Sequence, residues 1–267
     1  MLIVGKNNMN LRNIMSEERR RVNIIGTYVD VTSPDKAIAQ IWQWAHKGDS
    51  RQCTYTTVHV CMEGHKNKWY QDIINNSDFV IPDGQILAWL QKLYGQKDAQ
   101  RTTAPDTMAM MLDKANTDKM PIGLYGCSEE QLKELVEFIT TRYPNINLVY
   151  HFSPPFRALT QEEDEKVIAD INDSQCRILF VALGCPKQEK WISEHIGKVN
   201  SVMLSVGVSF NFISGKNKRA PKWIQSIGLE WLHRFFCEPK RLAYRYWVLN
   251  PWFLWLSFLQ LTGLRKF

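Results

Sequence analysis

The sequence predicts an α/β fold in which a mostly parallel sheet is covered on both faces by helices. Short apolar runs of strand length alternate with segments of helical periodicity from about residue 22 to residue 215. This alternation favours strands that run in one direction, because each helix carries the chain back across the sheet. The predicted strands are residues 22–26, 52–58, 78–82, 121–126, 146–152, 177–184 and 201–208.

Two helix starts carry strong signals. Ser33 precedes Pro34 and Asp35; serine can cap a helix, proline fits its first turn and aspartate suits its dipole. Ser128 is followed three residues later by Gln131, which is the spacing of a capping box. Helices placed between strands in this way indicate a Rossmann-like architecture, whose strand order the sequence leaves open.

The 267 residues have a globular composition, 45% hydrophobic and 22% charged. We predict an N-terminal extension over residues 1–21, an α/β core over residues 22–215 and a helical appendage over residues 216–267. The six cysteines show no C-x-x-C spacing, and the first 21 residues contain no apolar stretch of signal-peptide length. Both observations favour a protein that stays in a reducing cytosol.

Basic charge is concentrated in residues 216–267. This region holds ten Lys or Arg residues against two acids, a net charge of +8, whereas the whole chain carries +6. Five of the ten tryptophans lie there as well. A basic, tryptophan-rich helical region suits a membrane surface with anionic headgroups. Nucleic-acid binding, or a packed helical layer with a solvated basic face, fits the same composition.

Residues 246–264 carry no charge over 19 positions, which approaches the length of a membrane-spanning helix. Pro251 would break or kink a helix there, and Asn250, Ser257 and Gln260 are polar interruptions. We therefore expect a helix that lies in the membrane interface, with a true span as the less favoured alternative.

Residues that follow predicted strands are candidates for a functional site, because ligands of an α/β sheet bind beyond the carboxyl ends of its strands. Asp83 follows the strand at 78–82 and stands between Pro82 and Gly84 at a sharp exit. A carboxylate in that position can act as a general base toward a hydroxyl group. Capping of the helix that begins just after it explains Asp83 equally well.

A second candidate site follows the strand at 177–184. The segment ALGCPKQEKWI combines a strand, a turn at Gly184 and a helix start, whose N–H groups can bind phosphate. Lys187 adds positive charge, and Gln188 can hydrogen-bond a sugar or a base edge. The sequence contains neither a Walker loop nor G-x-G-x-x-G, so we predict no cofactor. It contains no D-x-D pair and no histidine cluster, so we also predict no metal site.

Several motifs together resemble the WecG/TagA/CpsF glycosyltransferases over roughly residues 22–250. They are Pro-Asp-Gly at 82–84 with Arg101 eighteen residues past Asp83, the run ALGCPKQEKWI, and R-A-P-x-W-x-Q followed by G-L-E-W. The resemblance implies an inverting, metal-independent transferase with a UDP-sugar donor and an undecaprenyl-diphosphate-linked sugar as acceptor. It also implies peripheral attachment at the cytoplasmic side of the plasma membrane, in cell-surface polysaccharide synthesis.

The resemblance implies a catalytic site made of a threonine, an aspartate, an arginine and a glutamine. The matching residues are Thr57, Asp83, Arg101 and Gln188. It also implies that arginines of a C-terminal appendage close over the diphosphate. The matching residues are Arg234, Arg241 and Arg245. Further substrate-binding positions are predicted in the loops and turns that follow strands. They are His59, which stands where the family pattern has asparagine, and Gly184, Lys187, Glu189 and Gly207.

Two other functions fit parts of the sequence. A non-catalytic module that binds nucleotide or lipid would have the same fold, but the presence of Asp83, Arg101 and Gln188 argues against it. A nucleic-acid binder would use the basic region, and its binding would fall steeply with salt. We predict as partners a UDP-sugar, a polyprenyl-diphosphate-linked acceptor and an anionic membrane surface, and no nucleic acid. Assembly into a homo-oligomer stays open.

Overall fold

The computed structural model describes residues 19–217, 219–221, 224 and 230–267, apart from the side chain of Arg241. Most of the predicted N-terminal extension, residues 1–18, therefore lies outside the described residues, as do 222–223 and 225–229 of a predicted helix. The described chain begins with an antiparallel hairpin of β1 (Arg21–Ile24) and β2 (Thr27–Asp30). The run at 22–26, predicted as a strand, thus pairs with its sequence neighbour and stays apart from the main sheet.

The centre of the molecule is a six-stranded sheet in which every neighbouring pair is parallel. Its strands are β3 (Arg51–Thr56), β4 (Phe79–Pro82), β5 (Ile122–Gly126), β6 (Leu148–Phe152), β7 (Ile178–Ala182) and β8 (Val202–Ser205). They lie in the order β4-β3-β8-β7-β5-β6. The predicted Rossmann-like α/β fold is confirmed.

Helices follow most strands, and the predicted starts are confirmed. The helices are α1 (Pro34–Lys47), α2 (Val58–Lys66), α3 (Lys68–Asn75), α4 (Gln85–Leu93), α5 (Ala104–Asp118), α6 (Glu129–Arg142), α7 (Gln161–Asp173), α8 (Lys187–His195), α9 (Ser209–Ile213), α10 (Glu230–Cys237), α11 (Pro239–Tyr244) and α12 (Asn250–Leu261). The Ser33 hydroxyl accepts from the N–H of Lys36 at 3.3 Å. Ser128 and Gln131 form the complete capping box.

Hydrophobic residues cover both faces of the sheet. In β7, Ile178 and Phe180 pack into a cluster with α1, α5 and α6, while Leu179 and Val181 pack on the opposite face with α7 and α8. This alternation follows from the two-residue period of a strand. A separate cluster on the side of β4 joins the hairpin to α2, α3, α4 and α12.

The last helix of the chain belongs to the core. Leu249, Phe253 and Leu256 are buried in the same cluster as the hairpin. The side-chain amide of Gln260 accepts from the N–H of Ile25 and donates to the carbonyl of Asn23, both at 2.9 Å. The predicted appendage is therefore joined to the first strands of the fold through its final helix.

Residues 239–261 form one helical stretch with a change of hydrogen-bonding pattern. A π-helical turn over Arg245–Leu249 separates α11 from α12, whose second residue is Pro251. Proline has no N–H to donate and crowds the carbonyl four residues earlier, so a local departure from α-helical geometry is expected there. None of the helices that the structure describes is both long enough and apolar enough to cross a membrane.

The outer side of this stretch is apolar as well. Large side chains remain exposed beside the buried ones, with Trp247 at 72%, Trp255 at 57% and Phe258 at 50% exposure. Leu254 and Leu264 add to this surface. Exposed apolar surface of this kind is typical of a site that contacts a partner or a lipid layer.

We expect Phe253→Ala to lower the free energy of unfolding by about 3–5 kcal/mol, because Phe253 is completely buried between α12 and the hairpin cluster. Urea denaturation measures the change. Phe258→Ala on the same helix is the control and should cost well under half as much, since half of that side chain is already in solvent. Equal losses at both positions would show that α12 is not anchored by its inner face.

Candidate active site

The carboxyl ends of four neighbouring strands, β4, β3, β8 and β7, border one cavity of about 320 Å³. Parallel strands end at the same edge of a sheet, so the loops that follow these four strands meet there. Nine of the twelve predicted site residues line the cavity: Thr57, His59, Asp83, Arg101, Gly184, Gln188, Gly207, Arg234 and Arg245.

Asp83 is the first residue after β4, and backbone hydrogen bonds hold it in place. Its N–H donates to the carbonyl of Thr56 on β3 at 2.7 Å. Gly84 follows with a φ of 141°, which other residues rarely adopt, and lets the chain turn sharply out of the strand. Oδ2 of Asp83 accepts from the N–H of Ala104 in α5 at 3.3 Å. The explanation that Asp83 caps α4 is wrong, because no side chain caps α4.

The environment of Asp83 favours the protonated carboxyl more than water does. Burial raises the pKa of Asp83 to about 6, against the lowering effects of the Ala104 N–H and of Arg101 and Arg234. A carboxyl group with this pKa is still mostly ionised at neutral pH and is a stronger base than an ordinary aspartate. Asp83 is therefore suited to accept a proton from a hydroxyl group in the cavity.

Arg101 belongs to a chain of ion pairs that joins the core to the C-terminal region. Its Nη2 contacts Oε2 of Glu230, and Nη2 of Arg219 donates to Oε1 of Glu230 at 3.4 Å. Arg219 also donates to both carboxylate oxygens of Asp106. The guanidinium groups of Arg101 and Arg219 are thus held close to each other by shared carboxylates.

Gln188 and Glu189 lie in the first turn of α8, and Gln188 lines the cavity whereas Glu189 does not. Oε1 of Gln188 accepts from the N–H of Gly184 at 3.2 Å, and its Nε2 donates to Oε1 of Glu189 at 2.8 Å. Gly207 lies against the same amide, since a Cβ added there would be 3.5 Å from Oε1. Glu189 is fully buried, and burial raises its pKa. The carboxylate of Glu189 accepts the hydrogen bond from Nε2 of Gln188 and so orients the Gln188 amide.

Thr57 and His59 lie at the start of α2. The Thr57 hydroxyl accepts from the N–H of Val60 at 3.3 Å, so its own proton can be donated to another group. Burial, helped by the cations Arg245 and Lys66, lowers the pKa of His59 to about 4. Its imidazole is therefore neutral near pH 7, and Nδ1 makes no hydrogen bond to the described residues. It can exchange a hydrogen bond with an uncharged group in the cavity.

The C-terminal region adds Arg234 and Arg245 to the cavity wall. The Arg234 guanidinium lies over the ring of Phe212 at 5.4 Å, and Arg245 is the first residue of the π-helical turn. Lys187, predicted to bind substrate, is exposed and does not line the cavity. The side chain of Arg241 lies outside the described residues.

Two charged residues of the cavity lining were not predicted from the sequence: Arg219 and Glu230. Arg219 belongs to the R-A-P motif and Glu230 to the G-L-E-W motif, but nothing in these motifs indicates that Glu230 pairs with Arg101. With them, four arginines and two carboxylates line the cavity, an excess of positive charge that suits a diphosphate. Within the described residues, no three His, Cys, Asp or Glu side chains are grouped so that they could hold a metal ion.

Comparison with known proteins finds relatives over most of the chain. The glycosyl transferase WecG/TagA/CpsF family matches residues 22–266. The N-acetylglucosaminyldiphosphoundecaprenol N-acetyl-beta-D-mannosaminyltransferase of Bacillus subtilis is 32% identical over 188 residues, which are 70% of this chain and 67% of the relative. Proteins of the same name from Bacillus spizizenii and Staphylococcus aureus are 30% and 29% identical, over 68% and 65% of this chain and 69% and 67% of their own. The chain therefore belongs to the WecG/TagA/CpsF family and is a glycosyltransferase.

Proposed function

We propose that the protein transfers a sugar from a UDP-sugar to an acceptor sugar that is linked through diphosphate to undecaprenol. The names of the relatives from Bacillus and Staphylococcus contain this kind of lipid-linked sugar, which supports the acceptor. The observation that carries the proposal is the position of Asp83, with a pKa of about 6, in a cavity lined by four arginines. A sugar transfer of this kind needs a base to take the proton of the acceptor hydroxyl and cations to stabilise the departing diphosphate.

In the proposed reaction, Asp83 takes the proton of the acceptor hydroxyl as the oxygen attacks the anomeric carbon of the donor sugar. The glycosidic bond forms on the face opposite the bond to UDP, so the configuration inverts. The bond to UDP breaks, and its electron pair leaves with the diphosphate. Preorganised cations stabilise that charge as it develops.

The remaining cavity residues would bind and orient the substrates. We propose that Arg101, Arg234 and Arg245 neutralise the diphosphate, so that the reaction requires no metal ion. The Thr57 hydroxyl, the Gln188 amide and the neutral imidazole of His59 can each exchange hydrogen bonds with sugar hydroxyl groups. Arg241 and Lys187 stay predictions for substrate binding.

We also propose that the protein attaches to the cytoplasmic face of the plasma membrane through residues 216–267. The exposed aromatic side chains around α12 and the net charge of +8 in this region support the attachment. The six cysteines, all free thiols, support a reducing compartment. Attachment would bring the cavity to a substrate whose lipid tail stays in the bilayer.

Asp83→Asn should lower kcat by about 10²–10⁴-fold while the Kd for UDP stays near that of the wild type, because general-base catalysis contributes about that much. The assay is UDP release from a panel of UDP-sugars in the presence of lipid-diphosphate-linked acceptors. The wild-type rate should fall as the pH drops below about 6, since Asp83 is then protonated.

Three results of this assay would contradict parts of the proposal. A wild-type rate in Asp83→Asn would remove Asp83 as the base. If the protein binds UDP but releases no UDP from any of the UDP-sugars, the non-catalytic module would be favoured. A loss of activity in EDTA that Mg²⁺ or Mn²⁺ restores would show that the reaction needs a metal ion.

The raised pKa of Asp83 implies a stability cost at neutral pH. The folded protein holds this proton up to about pH 6, whereas an ordinary aspartate has a pKa of 3.8, so ionising Asp83 above this range destabilises the fold. Asp83→Asn should therefore raise the melting temperature by a few degrees at pH 7.5 and by less at pH 5. Calorimetry at the two pH values measures the difference.

Asp106→Asn is the matched control for this measurement, because it should shift the melting temperature in the opposite direction. Burial would raise the pKa of Asp106, but its bonds from Arg219 and Thr103 hold it below the ordinary value. Its ionised form stabilises the fold, so the substitution should lower the melting temperature at pH 7.5. A stabilisation by Asp83→Asn that is larger at pH 5 than at pH 7.5 would argue against the raised pKa.

Replacing Trp247, Trp255 and Phe258 together by serine should abolish sedimentation with anionic liposomes and leave UDP binding unchanged, because these side chains are exposed and lie outside the cavity lining. The control replaces Phe138 and Phe156, exposed aromatic residues elsewhere on the surface, and should sediment like the wild type. Undiminished sedimentation of the triple variant would assign membrane attachment to another surface.

A further inference from the structure

Two of the four arginines in the cavity wall, Arg101 and Arg219, share Glu230 as an anionic partner. Glu230 lines the cavity with only 16% of its side chain exposed, and its two carboxylate oxygens contact Arg101 and Arg219. Arg101 lies just before α5, whereas Glu230 is the first residue of α10. A carboxylate shared by two guanidinium groups stands where a phosphate group would find the same donors.

Helix α10 contacts the rest of the protein through side chains that are half-buried or exposed, such as Trp231 and Phe235 against Tyr246. None of its eight residues, Glu230–Cys237, is buried. This contrasts with α12, which contributes three buried residues, two of them to the cluster that contains the hairpin. Segments with few buried apolar contacts move at a low cost in free energy. The ion pairs of Glu230 can therefore exchange without unpacking the core.

Arg219 does not depend on Glu230 for its position. Both Nη atoms of Arg219 donate to Asp106, and the hydroxyl of Thr103 donates to the same carboxylate. Asp106 lies in the first turn of α5, where the helix dipole favours a negative charge. These contacts would keep the guanidinium of Arg219 at the cavity after Glu230 has left it.

We propose that Glu230 occupies the place of a donor phosphate group, and that a bound diphosphate displaces it from Arg101 and Arg219. The inference rests on the proposed function, which makes a nucleoside diphosphate the ligand. A diphosphate carries more negative charge and more acceptor oxygens than a carboxylate, so the two arginines bind it in preference. Arg234 lies four residues after Glu230, on the same face of α10.

The test is the Kd of the full-length protein for UDP and for inorganic pyrophosphate, measured by titration calorimetry. Glu230→Gln keeps the shape of the side chain and removes the competing charge, so both Kd values should fall about 3- to 10-fold, the effect of one partly buried ion pair. The Kd for uridine, which has no phosphate, should not change. Glu230→Asp, which keeps the charge on a shorter side chain, should tighten binding less.

Glu238→Gln is the matched control. It removes one negative charge from the same region, but Glu238 does not line the cavity, so both Kd values should stay at the wild-type level. An equal gain in this variant would show that general charge, and not exchange at Arg101 and Arg219, explains the effect.

If Glu230 has a positioning role instead, the Kd values of Glu230→Gln should change in the opposite direction. If Glu230 served to hold the arginines in place for phosphate, Glu230→Gln would weaken UDP and pyrophosphate, and weaker or unchanged binding would overturn the exchange. Pyrophosphate binding requires no sugar transfer. Suppose that the wild-type protein transfers no sugar, while the Glu230→Gln variant binds pyrophosphate more tightly than the wild type does. These results would refute the proposed function and still support the exchange at Arg101 and Arg219.

Discussion

The site depends on one constraint, the side-by-side order of β4, β3, β8 and β7 with all four strands parallel. Parallel strands place their carboxyl ends at one edge, so loops that are separated by up to 150 positions in the chain meet there. Backbone hydrogen bonds extend this order beyond the strands. Asp83 donates to Thr56, and Thr102 donates to Pro82 at 3.0 Å, so both Asp83 and the neighbour of Arg101 are held by the sheet.

The C-terminal region supplies the part of the cavity wall that the sheet and its loops leave open. The core supplies a carboxylate of raised pKa, hydroxyl and amide groups and one arginine, whereas three arginines of the cavity wall come from residues 219–245. The charge needed to bind a diphosphate thus lies mainly on the part of the chain that also carries the exposed aromatic surface. In the proposed function, the same short helices would couple diphosphate binding to membrane attachment.

Local signals explain how much of this could be predicted. The caps at Ser33 and Ser128 and the seven strand runs follow from residue periodicity and helix-start signals. The same signals place Asp83 just after a strand and Gln188 at a helix start. Strand β2 was missed: the predicted run at 22–26 covers most of β1 and the two turn residues Ile25 and Gly26, and stops before Thr27, where β2 begins.

Contacts between distant residues could not be predicted in the same way. Glu230 lies 129 residues after its partner Arg101, and no local pattern specifies that pairing. The bond from the N–H of Ala104 to Asp83 depends on how α5 is placed beside β4. The burial of Glu189 likewise follows from the packing of α8 on the sheet, which decides that Gln188 alone of the two lines the cavity.

The hydrogen bonds between Gln260 and the hairpin have a consequence for synthesis on the ribosome. Gln260 and Ile25 are 235 residues apart, so the apolar residues of the hairpin are not covered by α12 until a further 235 residues have been synthesised. At 5–20 residues per second this delay is roughly 10 to 50 s. Throughout that interval Val22, Ile24 and Ile25 lack the cover of α12, and the nascent chain exposes an apolar patch that a chaperone can shield.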